Sequence, residues 1–449
     1  MKPVKWFNIS GLFDQPGLNM ETIVQALRRS ELLRNASILI SGTALAQLIP
    51  ILLRPILRRY YSPEIFGAYS VYFSIVGILA IVASFKYDLA IILPKKDKDA
   101  INIVFLSLII NFFFSLILAL VILIWKSKLL NFFNISNEYA YYLYFVPLGI
   151  FLYNLYSGLN NWLTRKKKFF ALSLNKFVRR GSEGLFQILF KYFKVPQGII
   201  FGDLIGHIAN ILSGFYQGRK SGLKYSKVSL AKLRYVTIKY SDFPKYNVIP
   251  SFMSACSFLL PAILLNKFYS AEYTGYYDLS RLLLTIPLAL ISTSLTNVLL
   301  QSLTEKYNKG KSLLKELMLV FSIVFSICVL EIIVVEFFGI WLFKFLFGES
   351  WGFSGEISQY LVWAYALNFL VTSFSAIFIS LNKIKMLSLW QVFYFISILS
   401  LTLFRNTDFM QFIKIYVVIE VTCYIVMISL MIIAVAKYES KLTLNYSES

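Results

Sequence analysis

Within its long apolar runs this sequence carries charged side chains, and these are the strongest candidates for ligand binding. A charge at the centre of a membrane helix costs about 2.5–3.5 kcal/mol, so its presence indicates a use. Arginine suits an anionic ligand, because its planar guanidinium matches phosphate oxygens. The pattern therefore predicts a cationic cavity, lined by Arg54, Lys176, Arg179, Arg180 and Arg281.

Acidic residues accompany two of these groups. Lys86 and Asp88 follow the second apolar run, where a gate or a structural ion pair fits, and we favour the ion pair. In NKFVRRGSEGLFQ, the side chains of Lys176, Arg180 and Glu183 share one helical face by i+4 and i+3 steps. Either that helix borders a wet cavity or its first half leaves the membrane, and we favour the cavity.

Two further pairs have helical spacing. Asp203 and His207 lie four residues apart, and such a pair either exchanges protons near neutral pH or forms a hydrogen-bonded helix contact. Asp278 and Arg281 lie three apart. The residues predicted to couple to an ion or to form a gate are Lys86, Asp88, Glu183, Asp203 and Asp278.

Three arginines end the first apolar run, which also contains Pro50 and Pro55. Prolines in a membrane helix are tolerated where the helix lines a cavity. We expect Arg54 to face the cavity, and Arg58 and Arg59 to extend to the outer membrane surface.

Composition defines the class of protein. Of 449 residues, 58% are hydrophobic and 15% are charged, and the apolar runs repeatedly exceed about 18 residues, so a polytopic membrane protein is predicted. The formal charge of +21 reflects 44 basic against 23 acidic residues. We attribute it to cytoplasmic loops, and expect contacts with membrane lipids and none with nucleic acid.

Few residues are available for metal or nucleophilic chemistry. There is one histidine, and the three cysteines lie far apart in apolar runs, so no metal site, disulfide framework or catalytic residue is expected. The N-terminal residues MKPVKWFNISGLFDQPG contain no apolar core, and no cleaved signal peptide is expected.

A repeated stretch organises the chain. LRRYYSPEIFGAY at 57–69 returns 208 residues later as LNKFYSAEYTGYY at 265–277, with six of the thirteen positions identical. An even number of spans between the copies predicts a parallel repeat. The predicted fold is an all-α integral membrane protein of about twelve transmembrane helices, in two six-helix lobes related by a parallel pseudo-two-fold axis. The spans are expected near 36–57, 66–86, 101–125, 140–162, 169–190, 197–216, 246–267, 273–300, 315–341, 358–380, 384–404 and 411–436.

The connections complete the organisation. The cytoplasmic parts are predicted to be an N-terminal segment, 1–34, a basic linker, 217–245, and a tail, 437–449. Residues 21–34 of the first segment form either an amphipathic helix in the headgroup region or a plain linker helix. The N-lobe is then 35–216 and the C-lobe 246–436. Lysines and arginines concentrate in loops that lie on the side of the N-terminus, which places both termini in the cytoplasm. The linker suits a helix on the anionic inner leaflet.

The residues 35–100 resemble a known family. SGTALAQLIPILLRPILRRYYSPEIFGAYSVYFSIVGILAIVASFKYDLAIILPKK is similar to the N-terminal signature of polysaccharide biosynthesis proteins of the O-antigen flippase type. These belong to the multidrug, oligosaccharidyl-lipid and polysaccharide (MOP) exporter superfamily. The run YDLSRLLLTIPLAL at 277–290 also resembles that family's eighth span.

The resemblance implies a flippase in the bacterial inner membrane, with no cofactor and with proton or sodium gradient coupling. Its cargo would be an oligosaccharide linked to undecaprenyl pyrophosphate, moved from the inner to the outer leaflet by alternating access. Other polysaccharide-assembly membrane proteins would be its partners, as in O-antigen and lipopolysaccharide biosynthesis.

Two alternatives remain at this stage. A membrane glycosyltransferase or polymerase acting on the same lipid-linked sugars would need carboxylates on a sizeable outer loop, whereas the outer turns here are short. A drug exporter of the same superfamily would need buried acids for cationic substrates, whereas this chain offers mainly bases. The sequence therefore favours a transporter over an enzyme.

Overall fold

The described residues form twelve long helices in the computed structural model. It describes the backbone of residues 31–447 and the side chains of 41–43, 45–224 and 226–442. We number the long helices α1 to α12, as Glu31–Tyr60, Pro63–Ala83, Asp97–Ile124, Ala140–Arg165, Phe169–Tyr192, Gly198–Lys220, Asp242–Phe268, Ala271–Asn308, Leu314–Phe347, Gly352–Phe374, Ile384–Leu399 and Phe409–Ser447.

These helices occupy the twelve predicted spans, and the described residues form no strand, so the all-α prediction is confirmed. Nine helical segments there are long and apolar enough to cross a membrane: α2, α3, α6 to α9, α10 with its short continuation, α11 with its terminal turn, and α12. Helices α1, α4 and α5 have similar lengths but carry more polar residues. Of these three, α1 and α5 place arginine side chains in the interior of the protein.

Short elements connect the long helices. They are Tyr87–Ala90, Lys126–Phe133, Leu230–Lys239 and Ala376–Ser380, with single 3-10 turns at Asn137–Tyr139, Tyr225–Lys227, Glu349–Trp351 and Ser400–Phe404. The basic linker is shorter than predicted, because α6 continues to Lys220 and α7 begins at Asp242. The last helix continues into the predicted tail, and most of the predicted interfacial helix, 21–34, lies outside the described residues.

The buried apolar side chains form separate cores in the two halves of the chain. One core is built only from residues between Ala262 and Ala434. Two others draw on residues 68–236, and one of these adds three side chains of α7. A smaller cluster joins the halves around Leu57, Phe66 and Trp351. This arrangement is consistent with two lobes joined along a narrower interface.

The repeated stretch lies at the crossing of α2 and α8, between the lobes. A Cβ atom on Gly67 would overlap the backbone carbonyl of Ala271, and one on Gly275 would overlap that of Pro63. Gly67 matches Gly275 in the repeat, and Pro63 matches Ala271, so the two contacts are equivalent. Such reciprocity is expected at a two-fold axis. Both helices start at this crossing, so they run in the same direction, as a parallel repeat requires.

The ends of α1 and α7 are capped by the opposite lobe. Trp351 donates its indole N–H to the carbonyl of Arg58 at 2.7 Å, and Asn134 donates to the carbonyl of Asn266 at 3.0 Å. Arg58 and Asn266 match in the repeat, so these caps are also equivalent. Arg59 reaches the carbonyls of Phe345 and Leu346. We call this end of the molecule, where α1 and α7 end, the sealed face.

Candidate functional site

Two chambers lie between the lobes. The first chamber has a volume of about 560 Å³ and is bounded by α1, α2, α5, α8 and α10, beneath the sealed face. The second chamber has a volume of about 1040 Å³ and lies toward the opposite end, where α2 ends and α11 begins. Two aromatic residues, Phe73 and Phe258, line both chambers. They therefore mark the boundary between the two spaces.

The first chamber is cationic. Its lining contains four arginines and two carboxylates, which are Arg54, Arg58, Arg180, Arg281, Glu183 and Asp278. Three of the four arginines come from the N-terminal half. An enclosed surface with this excess of guanidinium groups attracts anions, because the low dielectric strengthens each interaction.

Arg58 is one of these lining residues, so the expectation that it extends to the outer surface is wrong. The residue is 2% exposed, and its Nη2 lies 2.7 Å from Oδ2 of Asp278. Its guanidinium carbon lies 3.6 Å from the ring centroid of Phe66 and 4.6 Å from that of Trp351. These partners come from α2, α8 and a distant turn, and helical spacing within α1 could not indicate them.

Asp278 is the centre of a polar cluster that spans the lobe interface. Besides Arg58, it accepts a hydrogen bond from Ser70 at 3.0 Å and one from Arg281 at 3.3 Å. Ser70 and Asp278 directly follow the two copies of the repeat, at equivalent positions. Asp278 and Arg281, which were expected to meet because they lie three residues apart, are therefore in contact. They belong to a larger polar cluster that also contains Arg58 and Ser70.

The remaining cations of the first chamber differ in their pairing. Nη1 of Arg180 lies 2.8 Å from Oε2 of Glu183, as their helical spacing suggests. Arg54, half-buried between Pro50 and Pro55 on α1, has no hydrogen bond or ion pair with a described residue. Its charge is therefore available to a ligand. Among the residues of this chamber, we regard Arg54 as the one whose charge is most available to a ligand.

Lys176 does not join the chambers. It belongs to neither lining, and its ammonium donates a hydrogen bond of 2.8 Å to the hydroxyl of Thr43 on α1. It shares a helical face with Arg180, but it lies one turn nearer the start of α5, beside Thr43 of α1. Its prediction as a ligand residue gains no support from this position.

The second chamber contains a separate charged group. Nη2 of Arg179 lies 2.8 Å from Nε2 of His207 and 3.8 Å from Oδ1 of Asp203. Nε2 of His207 lies 3.8 Å from that same oxygen, too far for a hydrogen bond. The three side chains come from α5 and α6, which pack closely. The predicted pair of Asp203 and His207 is thus part of a triad that Arg179 joins.

Lys86 and Asp88 also line the second chamber, but no ion pair joins them in the described part of the chain. The favoured structural pair is therefore wrong. Asp88 instead accepts hydrogen bonds from the hydroxyls of Ser84 and Ser157, at 3.0 and 2.8 Å. Lys86 has a left-handed backbone at the start of the short helix, with φ of 59°, which separates its side chain from Asp88.

No group of three or more His, Cys, Asp and Glu side chains is placed to hold a metal in the region that the structure describes. In the first chamber, Arg58, Arg180 and Arg281 pair with Asp278 or Glu183, whereas Arg54 pairs with no described residue. The site can therefore hold an anionic, hydroxyl-rich ligand through arginine and neutral polar groups.

Comparison with solved structures shows the fold. The chain is similar to the inward-facing conformation of a multidrug resistance MATE family transporter of the MOP superfamily, with a TM-score of 0.69 and 16% identity over 88% of this chain and 96% of that chain. It is similar to a MOP superfamily transporter from Pyrococcus furiosus Vc1, described as having a binding pocket of reverse polarity, with a TM-score of 0.56 and 15% identity, covering 90% and 95% of the two chains. For the MATE transporter ClbM in complex with Rb⁺, the TM-score is 0.53 and the identity 14%, covering 92% and 94%. No curated protein matches the chain.

The long apolar helices and the MATE-like fold define a multi-pass membrane protein. Residues 56–356 match the family model described as polysaccharide biosynthesis protein. Since the match covers more than half of the sequence, the chain belongs to the polysaccharide biosynthesis protein family.

Proposed function

We propose that this protein is a flippase for lipid-linked oligosaccharides, rather than an enzyme that modifies them. The cargo is an oligosaccharide on undecaprenyl pyrophosphate, carried from the inner to the outer leaflet of the bacterial cytoplasmic membrane. The observation that carries this proposal is the arginine-lined first chamber, enclosed between the lobes of a membrane protein. Intramembrane arginines in excess over acids favour an anionic headgroup over a cationic drug.

The proposed orientation follows the distribution of basic loops. Both termini lie in the cytoplasm, and the sealed face lies toward the outer side. The inter-lobe hydrogen bonds of Arg58, Arg59, Asn134 and Trp351 all lie at that face. The structure then corresponds to a state that loads cargo from the inner leaflet.

The two chambers suit the two polar parts of the cargo. Arg54 and Arg281 provide guanidinium groups for the pyrophosphate in the first chamber. The wider second chamber is lined by hydroxyl and amide side chains, including Asn154, Ser157 and Gln391, which can bind sugar hydroxyls. The lipid tail remains in the bilayer, where it loses no hydrophobic contact.

Outward release requires the sealed face to open. The pair of Arg58 and Asp278 then has to separate. When the pyrophosphate leaves, the arginines that bound it pair with protein carboxylates instead. A proton or sodium gradient would drive this cycle through the acids of the two chambers, with Asp88, Glu183, Asp203, Asp278 and the neighbouring Lys86 as ion-coupling or gate residues. No cofactor is needed for this cycle, and other polysaccharide-assembly membrane proteins are its expected partners.

The direct test reconstitutes the purified protein in liposomes that carry a fluorescently labelled lipid-linked oligosaccharide. Flipping is followed as protection of the sugar from an external glycosidase. Wild-type protein should equilibrate the label between leaflets, and a variant with Arg54 and Arg281 both changed to Ala should not. Equal rates for the two proteins would contradict the proposed site. Cleavage or elongation of the sugar by the protein itself would point to an enzyme.

A further inference from the structure

Tyrosine hydroxyls surround one buried carboxyl in the core of the C-terminal half. Glu420 on α12 is 2% exposed, and Tyr394 on α11 donates a hydrogen bond of 2.8 Å to its Oε1. Tyr416 and Tyr424 lie one helical turn on either side of it. This carboxyl belongs to neither chamber lining, and none of the charged patterns considered above includes it.

Glu420 has no counter-ion among the side chains that the structure describes. None of the ion pairs in the described residues includes it, and its Oε2 has no hydrogen-bond partner there. An ionised carboxylate at this place would leave a net charge uncompensated inside the protein core. The side chain is therefore accommodated best in its protonated, neutral form.

A hydrogen-bonded path connects this carboxyl to the first chamber. Asn368 of α10 lines that chamber and donates to the hydroxyl of Tyr424 at 2.8 Å. The hydroxyls of Tyr424 and Tyr394 lie 3.4 Å apart, and Tyr394 reaches Glu420. A hydroxyl both donates and accepts, so the two tyrosines can pass a proton along the path.

Other titratable groups complete the surroundings. The hydroxyls of Tyr277, Tyr365 and Tyr416 lie 3.3–3.4 Å from one another, and the thiol-bearing Cys423 is buried on α12. The charged group that faces this cluster is Arg281, whose guanidinium carbon lies 5.8 Å from the ring centroid of Tyr277. The cluster thus contacts, at one edge, the arginine that also holds Asp278.

We propose that Glu420 is a proton-binding site, loaded from water in the first chamber through Tyr424 and Tyr394 when the Asn368 amide, which cannot itself pass a proton, moves off the Tyr424 hydroxyl. Tyr394 gives its proton to Oε1 and takes one in turn from Tyr424, which takes one from water. Loss of the proton leaves a carboxylate that α8, α10, α11 and α12 accommodate only by changing their packing. A metal cation suits the site less well, because the helices here are uninterrupted and their carbonyls are engaged in helical hydrogen bonds. The role of this proton in driving transport rests on the proposed flippase function, but proton binding itself does not.

Infrared difference spectroscopy of the purified protein, without cargo, tests the proton site. As the pH is raised, a protonated carboxyl band should disappear in wild type and should be missing from Glu420→Gln. Glu331→Gln is the matched control, because Glu331 lies in a membrane helix outside the cluster and also has an unpartnered oxygen. That variant should keep the Glu420 band, and Tyr394→Phe should shift its frequency, since the hydrogen bond to Oε1 is lost.

Three results would overturn the proton site. They are a Glu420→Gln spectrum identical to wild type, a wild-type band that does not change over the pH range where the protein stays folded, and displacement of the band by Na⁺ at constant pH. The coupling role is tested with a pH gradient across liposomes, which should accelerate flipping by wild type and not by Glu420→Gln. Equal acceleration of both would overturn coupling. If wild type flips nothing, the proposed function and coupling fail together, and the infrared result still decides the site.

Discussion

The guanidinium of Arg58 lies 2.7 Å from the carboxylate of Asp278, and this buried ion pair joins the two lobes beside their pseudo-two-fold axis. Asp278 also accepts from Ser70 and Arg281. One carboxylate therefore holds the N-terminal half at the sealed face and contacts a cation of the first chamber. Any outward opening of the lobes has to break this contact.

Removing the cation of this pair should open the sealed face. We expect Arg58→Met to cost about 3–5 kcal/mol of stability, because a buried carboxylate loses a partner. A reporter cysteine in place of Thr274, which is fully buried at the helix crossing, should then react faster with a membrane-impermeant maleimide. The three natural cysteines are buried and give a low background.

Arg59→Ala is the control for this experiment. Arg59 is exposed and contacts only backbone carbonyls among the described residues, so its loss should change stability and labelling little. Equal labelling rates in wild type and Arg58→Met would contradict the assignment of Arg58 as a latch.

The helix crossing should tolerate no side chain at its two glycines. Gly67→Ala and Gly275→Ala each place a methyl group against a backbone carbonyl, and overpacking of this kind costs about 1–3 kcal/mol. Gly181→Ala on α5 is the matched control, since no atom lies within 4 Å of its added Cβ. It should be neutral or stabilising, by up to about 1 kcal/mol. The melting temperature of each variant in detergent measures this effect. If Gly181→Ala lowered it as much as the other two changes, the close approach of α2 and α8 would be refuted.

Arg54 should contribute to cargo binding without contributing much to folding. It makes no hydrogen bond or ion pair with a described residue, so Arg54→Ala leaves no carboxylate there without its ion-pair partner. We expect a loss of about 1.5–3 kcal/mol in binding of the pyrophosphate-linked oligosaccharide, the usual range for a hydrogen bond to a charged group. Arg54→Lys should restore part of it. Lys176→Ala lies outside both chamber linings and should bind the oligosaccharide as wild type does. If Lys176→Ala bound it more weakly and Arg54→Ala did not, the ligand would bind elsewhere.

The aromatic residues that line both chambers should contact the sugar of the cargo during transport. Phe73 and Phe258 are only about half-buried, so changing either to Ala should cost little stability. Each ring can stack on a sugar face, and its loss should slow flipping in liposomes several-fold. Phe337→Ala, on an exposed surface outside both chambers, provides the comparison. Unchanged flipping by both chamber variants would contradict a passage between the chambers.

The sequence predicts the fold well because apolar run length and the repeat are both local signals. The positions of Gly67 and Gly275 in the repeat even indicate which helices meet. The sequence pattern does not show that each glycine lies against the backbone of the other copy, which the structure does.

The candidate site is harder to predict, because its contacts join residues that are far apart in the chain. Helical spacing correctly paired Arg180 with Glu183, since both lie on α5. It failed for Arg58, whose partner lies 220 residues away, and for Lys86, whose backbone conformation turns it from Asp88. Glu420 did give a signal, since it lies inside a predicted span with Tyr416 and Tyr424 one helical turn on either side. Its contact with Tyr394 on α11 joins two helices and could not be derived from spacing.

The most direct test of the central claim is the leaflet location of lipid-linked oligosaccharide in cells that lack this protein. Complete repeat units should accumulate on the inner leaflet. Wild-type protein should clear them, and a variant with Arg54 and Arg281 changed to Ala, expressed at normal levels, should not. Complete units that reach the outer leaflet without this protein would contradict the flippase assignment.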